Sequence, residues 1–264
     1  MQFGICTSPA SAAPFAQAGF DFLELNVQQL LQGEAEESAF LAGWEKARSS
    51  PLPCLAANSF IPGHIKVTGP EADTARLEAY VATICRRAEI AGIQTIVFGS
   101  GGARNIPGDF SRVQAWKQLV SFGRMAAETA SRHGVTIVAE PLNKKECNIL
   151  NCVEESAEYV REVGHPRLRL LVDSYHWWLD DNDEKALGLA GELLHHVHVA
   201  TLTNRLAPGE EPADFSLFFM LLRGAGYRGP ISIEAGWKDP AVCAPRALQI
   251  LSRNKAVETT EEPG

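Results

Sequence analysis

The sequence predicts an α/β chain closed into a single (β/α)8 TIM barrel, and three observations carry that prediction. Eight short β-rich apolar runs alternate with eight helical stretches, the pattern of parallel strands joined by crossover helices. The eight units fill 264 residues with no remainder for a second domain, and such barrels commonly run to ~250 residues. No G-x-G-x-x-G follows the first strand, so the doubly wound nucleotide fold, which shares the alternation, lacks its usual marker.

In chain order the strands are expected at 3–6, 19–25, 53–58, 92–98, 134–140, 168–173, 196–200 and 230–234. Most are rich in Val, Ile, Leu or Phe, and all are short enough for a buried strand. Helices are expected between them at 8–18, 35–48, 71–91, 109–132, 152–163, 183–191, 213–225 and 240–253. Asp73 or Thr74 can cap the third helix after Pro70, and Glu154 with Glu155 puts negative charge in the first turn of the fifth. Gly19, Gly92 and Gly134 suit the left-handed position where a helix ends before the next strand. The barrel domain is expected to span 1–254, and the polar, acidic tail 255–264 to be a flexible extension without a part in the chemistry.

Composition narrows the function. With 32 acidic against 24 basic residues the net charge is −8, which disfavours a phosphate-tracking nucleic-acid binder. Six cysteines include no C-x-x-C pair and read as buried, reduced thiols. The N-terminus lacks a charged n-region and no stretch approaches 18 uninterrupted apolar residues, so a cytoplasmic protein without a membrane partner is expected. The apolar segment 215–222 (FSLFFMLL) can bury against a second copy as well as against the barrel, which leaves a homo-oligomer open.

In such a barrel the catalytic groups gather at the C-terminal ends of the strands. Strand five ends in Glu140, strand six in Asp173 and strand eight in Glu234, while strand seven contains His198. Any one of these alone reads as a cap or a solvated loop residue. Together they place three carboxylates at one rim, where mutual repulsion is unfavourable unless a cation lies among them. Three carboxylates and an imidazole form an oxygen-rich set suited to Mn2+, Mg2+ or Co2+, with Zn2+ a further candidate. Around them stand Glu146, His176 and Arg205, and Trp177, Trp178 and Trp237 lie near the rim, equally suited to cover a sugar face or to pack between loops. The stretch 99–104 (GSGGAR) reads slightly better as an anion-cradling rim loop than as a plain turn, and 59–64 (SFIPGH) as an apolar lid. His133, His165 and His195 precede strands, on the opposite face, and are given no function.

Four motifs in order, EPLNKKECN at 140–148, DSYHWW at 173–178, HVHVA at 196–200 and ISIE at 231–234, make the chain resemble the xylose isomerase-like TIM barrels of the sugar-phosphate isomerase/epimerase family. That family includes ketose 3-epimerases, hydroxypyruvate isomerases and inosose dehydratases, with apurinic endonucleases more distant. The resemblance covers residues 1 to about 252. It implies Glu140, Asp173, His198 and Glu234 as metal ligands, Glu140 and Glu234 as the acid/base pair, and Glu146, His176 and Arg205 as contacts to a small carbohydrate substrate. Lys144 stands where the family usually has arginine, and Arg205 falls about one residue later after the histidine than in the epimerases.

The expected activity is a divalent-metal-dependent sugar or sugar-phosphate isomerase or epimerase. It would abstract the proton alpha to a carbonyl, with the cation stabilising the enediolate. The alternative is a metal-dependent dehydratase of a keto-polyol such as an inosose, in which His176 or Glu146 protonates the departing hydroxyl. A DNA-repair endonuclease is disfavoured because strands three and four end without the histidines a trinuclear metal cluster needs. A non-catalytic sugar-binding protein is disfavoured by the complete ligand set.

Overall fold

In the computed structural model eight parallel strands close in sequence order, each hydrogen-bonded to the next and the last to the first. The structure describes residues 1–181 and 183–256. The strands are β1 (Phe3–Cys6), β2 (Phe22–Asn26), β3 (Cys54–Asn58), β4 (Thr95–Phe98), β5 (Thr136–Ala139), β6 (Leu168–Asp173), β7 (Leu194–Val199) and β8 (Ile231–Ile233). The principal helices are α1 (Ala13–Ala18), α2 (Glu37–Ala47), α3 (Thr74–Ala91), α4 (Arg112–Arg132), α5 (Val153–Val163), α6 (Glu184–Leu189), α7 (Ser216–Gly224) and α8 (Pro240–Ala256). The last helix thus continues through 255–256, into the expected tail, and residues 257–264 lie outside the described residues.

The boundary signals act as expected. Asp73 caps α3 by accepting the Arg76 N–H at 3.1 Å, and Gly19, Gly92 and Gly134 all take positive φ after helices. Side chains alternate along each strand. Ile5, Leu23, Leu25, Ile96, Phe98, Val172 and Ile233 join the main core. Val97, Val138 and Leu171 form a separate buried cluster, in phase with the strand-end carboxylates Glu140 and Asp173. Phe22 shares its phase with Glu24, and it fits because position 4 is glycine: a Cβ on Gly4 would sit 2.2 Å from the Phe22 ring. The register slips at two places, between Leu23 and Glu24 against β3 and between Leu170 and Leu171 against β7, both on strands that carry site residues.

In the 215–222 segment, Phe215, Phe218, Phe219 and Leu222 are buried within the chain, while Leu217 and Met220 stay exposed. Among the described residues no helix is long and apolar enough to cross a membrane, and all six cysteines are free.

Candidate active site

Parallel strands of a closed barrel all end at the same mouth, so four side chains distant in sequence meet there. Glu140 directly follows β5, Asp173 ends β6, His198 is the penultimate residue of β7, and Glu234 directly follows β8. One donor atom from each lies within 4.8 Å of all the others. His198 Nδ1 is 3.3 Å from Glu140 Oε1 and 3.5 Å from Glu234 Oε2. Glu140, Asp173 and His198 are buried, and Glu140 Oε1 and His198 Nδ1 make no hydrogen bond.

Buried polar atoms without partners are rare, and here two of them face the same point. Burial pushes Asp173 up to about 6 against the pull of Arg205, and it pushes Glu140 up, aided by the Glu234 charge. Burial likewise acts to raise Glu234, but His198 and Arg205 outweigh it and hold that carboxyl below its ordinary range. A divalent cation would relieve this crowding and supply partners to both orphan atoms. The residues therefore fit such an ion, with hard carboxylate oxygens and one imidazole as donors.

The remaining expected residues line the rim. Arg205 Nη2 reaches Glu234 Oε2 at 2.5 Å and Asp173 Oδ2 at 3.3 Å, and Nη1 lies 3.7 Å from Glu146 Oε1. Its guanidinium stacks 4.7 Å from the Tyr175 ring centroid. The Arg205 backbone is left-handed, with φ +50°, a conformation costly for a residue other than glycine. It is held by the Gly236 N–H on its carbonyl at 2.8 Å and by the bridge between Leu206 and Gly236. His176 accepts at Nδ1 from the Asn143 backbone N–H at 3.2 Å and from Asn143 Nδ2 at 2.9 Å. Its hydrogen therefore resides on Nε2, which lies 3.8 Å from Asp173 Oδ2 and has no hydrogen-bond partner. Asn143 also donates to Glu146 Oε1 at 2.8 Å, which ties the half-exposed Glu146 to the same cluster.

Two residues that sequence reasoning passed over support the quartet. Glu24 of β2 is buried, with Oε1 2.8 Å from His198 Nε2 and Oε2 2.7 Å from His196 Nε2. Burial opposes its ionisation, but the two imidazoles outweigh that and hold it well below the usual carboxylate range. Asn58 at the end of β3 donates to Glu234 Oε1 at 2.9 Å. The available signal for Glu24 was a charged residue inside the apolar run Phe22-Leu23-Glu24-Leu25, where a buried strand has no reason to carry one.

Other expectations change. In the 99–104 loop the arginine does not offer its charge to an anion: Arg104 is fully buried and donates to the carbonyls of Phe98 at 2.9 Å and Glu140 at 2.7 Å. Its Nη1 and Nη2 are taken up by backbone carbonyls. The apolar residues of 59–64 pack inward rather than over the mouth. Phe60 is fully buried against Tyr80, Phe98 and Phe122, and Tyr80 donates its hydroxyl to the Phe60 carbonyl at 3.0 Å. His64 turns away to Glu34 at 2.6 Å. The tryptophans all make packing contacts: Trp177 meets Phe218, Trp178 meets Phe215 and Phe218, and Trp237 meets Phe15.

The profile of the family described as xylose isomerase-like TIM barrel matches residues 13–254. An L-ribulose 3-epimerase of Methylomonas sp. (strain DH-1) is 27% identical over 222 residues, covering 83% of this chain and 75% of that protein. A 3-dehydro-D-guloside 4-epimerase of Escherichia coli (strain K12) is 31% identical over 121 residues, 45% of this chain and 46% of that one. A crystal structure of D-allulose 3-epimerase from Methylomonas sp. superposes with a TM-score of 0.80 at 24% identity, covering 96% of this chain and 98% of that chain. The match thus spans three quarters of the first relative and under half of the second.

Proposed function

The chain belongs to the xylose isomerase-like TIM barrel family, and from that premise we propose a divalent-metal-dependent carbohydrate isomerase or epimerase that acts on an unphosphorylated ketose. The observation that carries this reading is the convergence of Glu140, Asp173, His198 and Glu234 on one point, with two orphan buried donors between them. Those four residues would hold the ion, Mn2+, Mg2+ or Co2+ before Zn2+ by the hardness of the donors. When bound, it supplies Lewis-acid polarisation of a carbonyl and its neighbouring hydroxyl. The names of the relatives, epimerases acting at a sugar carbon, support the same class of reaction.

Glu140 and Glu234 form the acid/base pair. His198 and Arg205 favour the ionised form of Glu234, the form that removes a proton alpha to a carbonyl. Glu140, the other carboxyl of the pair, returns one. Return to the opposite face of the same carbon gives the epimer, and return to the neighbouring carbon gives the aldose–ketose isomer. His176 offers its Nε2–H, and Glu146 and Arg205 their polar ends, to substrate hydroxyls.

Beside the quartet opens a cavity of about 380 Å3 whose lining includes Cys6, Ser8, Glu24, Asn26, Gln29 and Asn58, a volume within the range of small-molecule pockets. Its lining contains hydroxyl and amide groups and no lysine or arginine. A polyhydroxylated neutral chain finds partners there, whereas the cavity lining offers a phosphate no cation and the nearby Arg205 is already engaged by Asp173 and Glu234.

The test is incubation with Mn2+ and L-ribulose, D-allulose or D-fructose in D2O, followed by proton NMR. Deuterium should enter the carbon next to the carbonyl as the epimer accumulates, and chelation should stop both. Glu234→Gln should keep sugar binding and lose turnover. Absence of exchange across the panel, or activity indifferent to chelator, would refute the proposal; an unsaturated product would identify a dehydratase instead.

A further inference from the structure

We propose that Glu24 is a positioning residue that dictates which ring nitrogen of His198 faces the metal, an inference that rests on the metal role given above to the quartet. Glu24 comes from β2, across the barrel from β7, and its carboxylate is spanned by two imidazoles. The Nε2–H of His198 donates to Oε1 at 2.8 Å and the Nε2–H of His196 to Oε2 at 2.7 Å. An ionised carboxylate only accepts hydrogen bonds, so both histidines carry their hydrogen on Nε2. The lone pair of a neutral His198 is then on Nδ1, the atom 3.3 Å from Glu140 Oε1 and 3.5 Å from Glu234 Oε2 that has no hydrogen bond of its own. The opposite tautomer would set a lone pair of Nε2 against a carboxylate oxygen at 2.8 Å and point an N–H into the place of the ion.

The clasp is itself braced. His196 is fully buried, and its Nε2 also lies 3.2 Å from Ser232 Oγ on β8. The register slip of β2 falls immediately before Glu24. Cys6, Glu24 and His198 also approach one another within 4.8 Å, but both Glu24 oxygens are taken by imidazoles, so this trio reads as the clasp rather than as a second metal site. Carboxylates in this place beyond a metal-bound histidine fix its ring and raise its basicity.

Glu24→Gln tests the idea because the amide offers one acceptor and one donor to two imidazoles, so one ring must reverse. Two measurements apply: calorimetric titration of Mn2+ into chelator-treated protein, and long-range 15N–1H NMR of the imidazoles in Mg2+-loaded protein. The wild type should show hydrogen on Nε2 of both histidines. E24Q should bind Mn2+ about 10–100-fold more weakly with an altered imidazole pattern and an unchanged circular dichroism spectrum. Equal Mn2+ affinity in E24Q and wild type overturns the positioning role alone, whereas wild type that takes up no Mn2+ overturns the proposed function. If E24Q does not fold, the wild-type spectrum decides: hydrogen on Nδ1 of His198 overturns the inference, and hydrogen on Nε2 supports it.

Discussion

Replacing Arg104 by methionine removes the clasp that fixes the backbone of Glu140. The side chain is fully buried and stacks 5.5 Å from the Phe98 ring centroid. It gives two well-formed hydrogen bonds, to Phe98 O at 2.9 Å and Glu140 O at 2.7 Å, and a marginal one to Leu150 O at 3.5 Å. Charge-assisted bonds contribute about 1.5–3 kcal/mol each, so the gross loss is about 3–6 kcal/mol. Part is offset. Phe98 O still accepts from Glu140 N at 3.2 Å and Leu150 O from Leu142 N at 3.0 Å, so among these carbonyls only that of Glu140 loses its donor. Methionine also ends the desolvation of a buried charge and of an Nε that has no partner. The expected net loss is about 2–4 kcal/mol, read as a lowered urea midpoint at unchanged slope. Mn2+ binding should weaken as well, because Glu140 follows its own carbonyl. Arg104→Lys should recover less than half the loss, since an ammonium gives all its donors from one point and does not match carbonyls that are reached from the two separate nitrogens Nη1 and Nη2. A loss below about 1 kcal/mol for methionine would refute the reasoning, for it would mean that desolvation already cancels the bonds.

Three further outcomes are expected. A Cβ at position 99 would sit 2.4 Å from Glu140 Oε2, so Gly99→Ala should move that flexible carboxylate and lower kcat/KM by ~10–100-fold while the urea midpoint barely changes; equal activity would contradict the placement of Glu140. Arg205→Lys loses the planar guanidinium that reaches Asp173 and Glu234 through Nη2 and Glu146 through Nη1, and the stacking on Tyr175, and kcat/KM should fall by about 10-fold or more; lysine at full activity would remove Arg205 from the site. Burial, aided by His196, Arg169 and Arg167, pushes His195 down to about 4, whereas the unfolded chain takes up that proton near 6.5. Folding is therefore indifferent to this group above pH ~7 and loses stability as pH falls from 6.5 toward 4, by at most about 3 kcal/mol. His195→Gln should flatten that part of the urea midpoint against pH, and an identical slope would exclude His195 as its source.

The barrel and the meeting of the four strand-end residues were legible because both depend on order along the chain. Apolar runs alternating with helices require parallel strands, and the strand ends then fall at one mouth whatever the details of packing. Glu140, Asp173 and Glu234 stood where each apolar run stopped, so their meeting followed from topology. Asp73 and the glycines after the helices were legible for a similar reason, since caps act within a few residues.

Loops and clasps were not legible in this way. A glycine-rich loop ending in arginine suits an anion as well as it suits three carbonyls, and only the position of Phe98, Glu140 and Leu150 around Arg104 decides between them. Phe60 needed something to pack against, and the sequence could not say that Tyr80, Phe98 and Phe122 lie beneath it. Glu24 and His198 are 174 residues apart, and the carboxylate meets the imidazole only because β2 and β7 face each other across a closed barrel. Chain order settles the fold and the end of the barrel where the chemistry gathers. Which donor each buried charge finds is a matter of distances across the barrel, because hydrogen bonds act over about 3 Å and no local pattern encodes that reach.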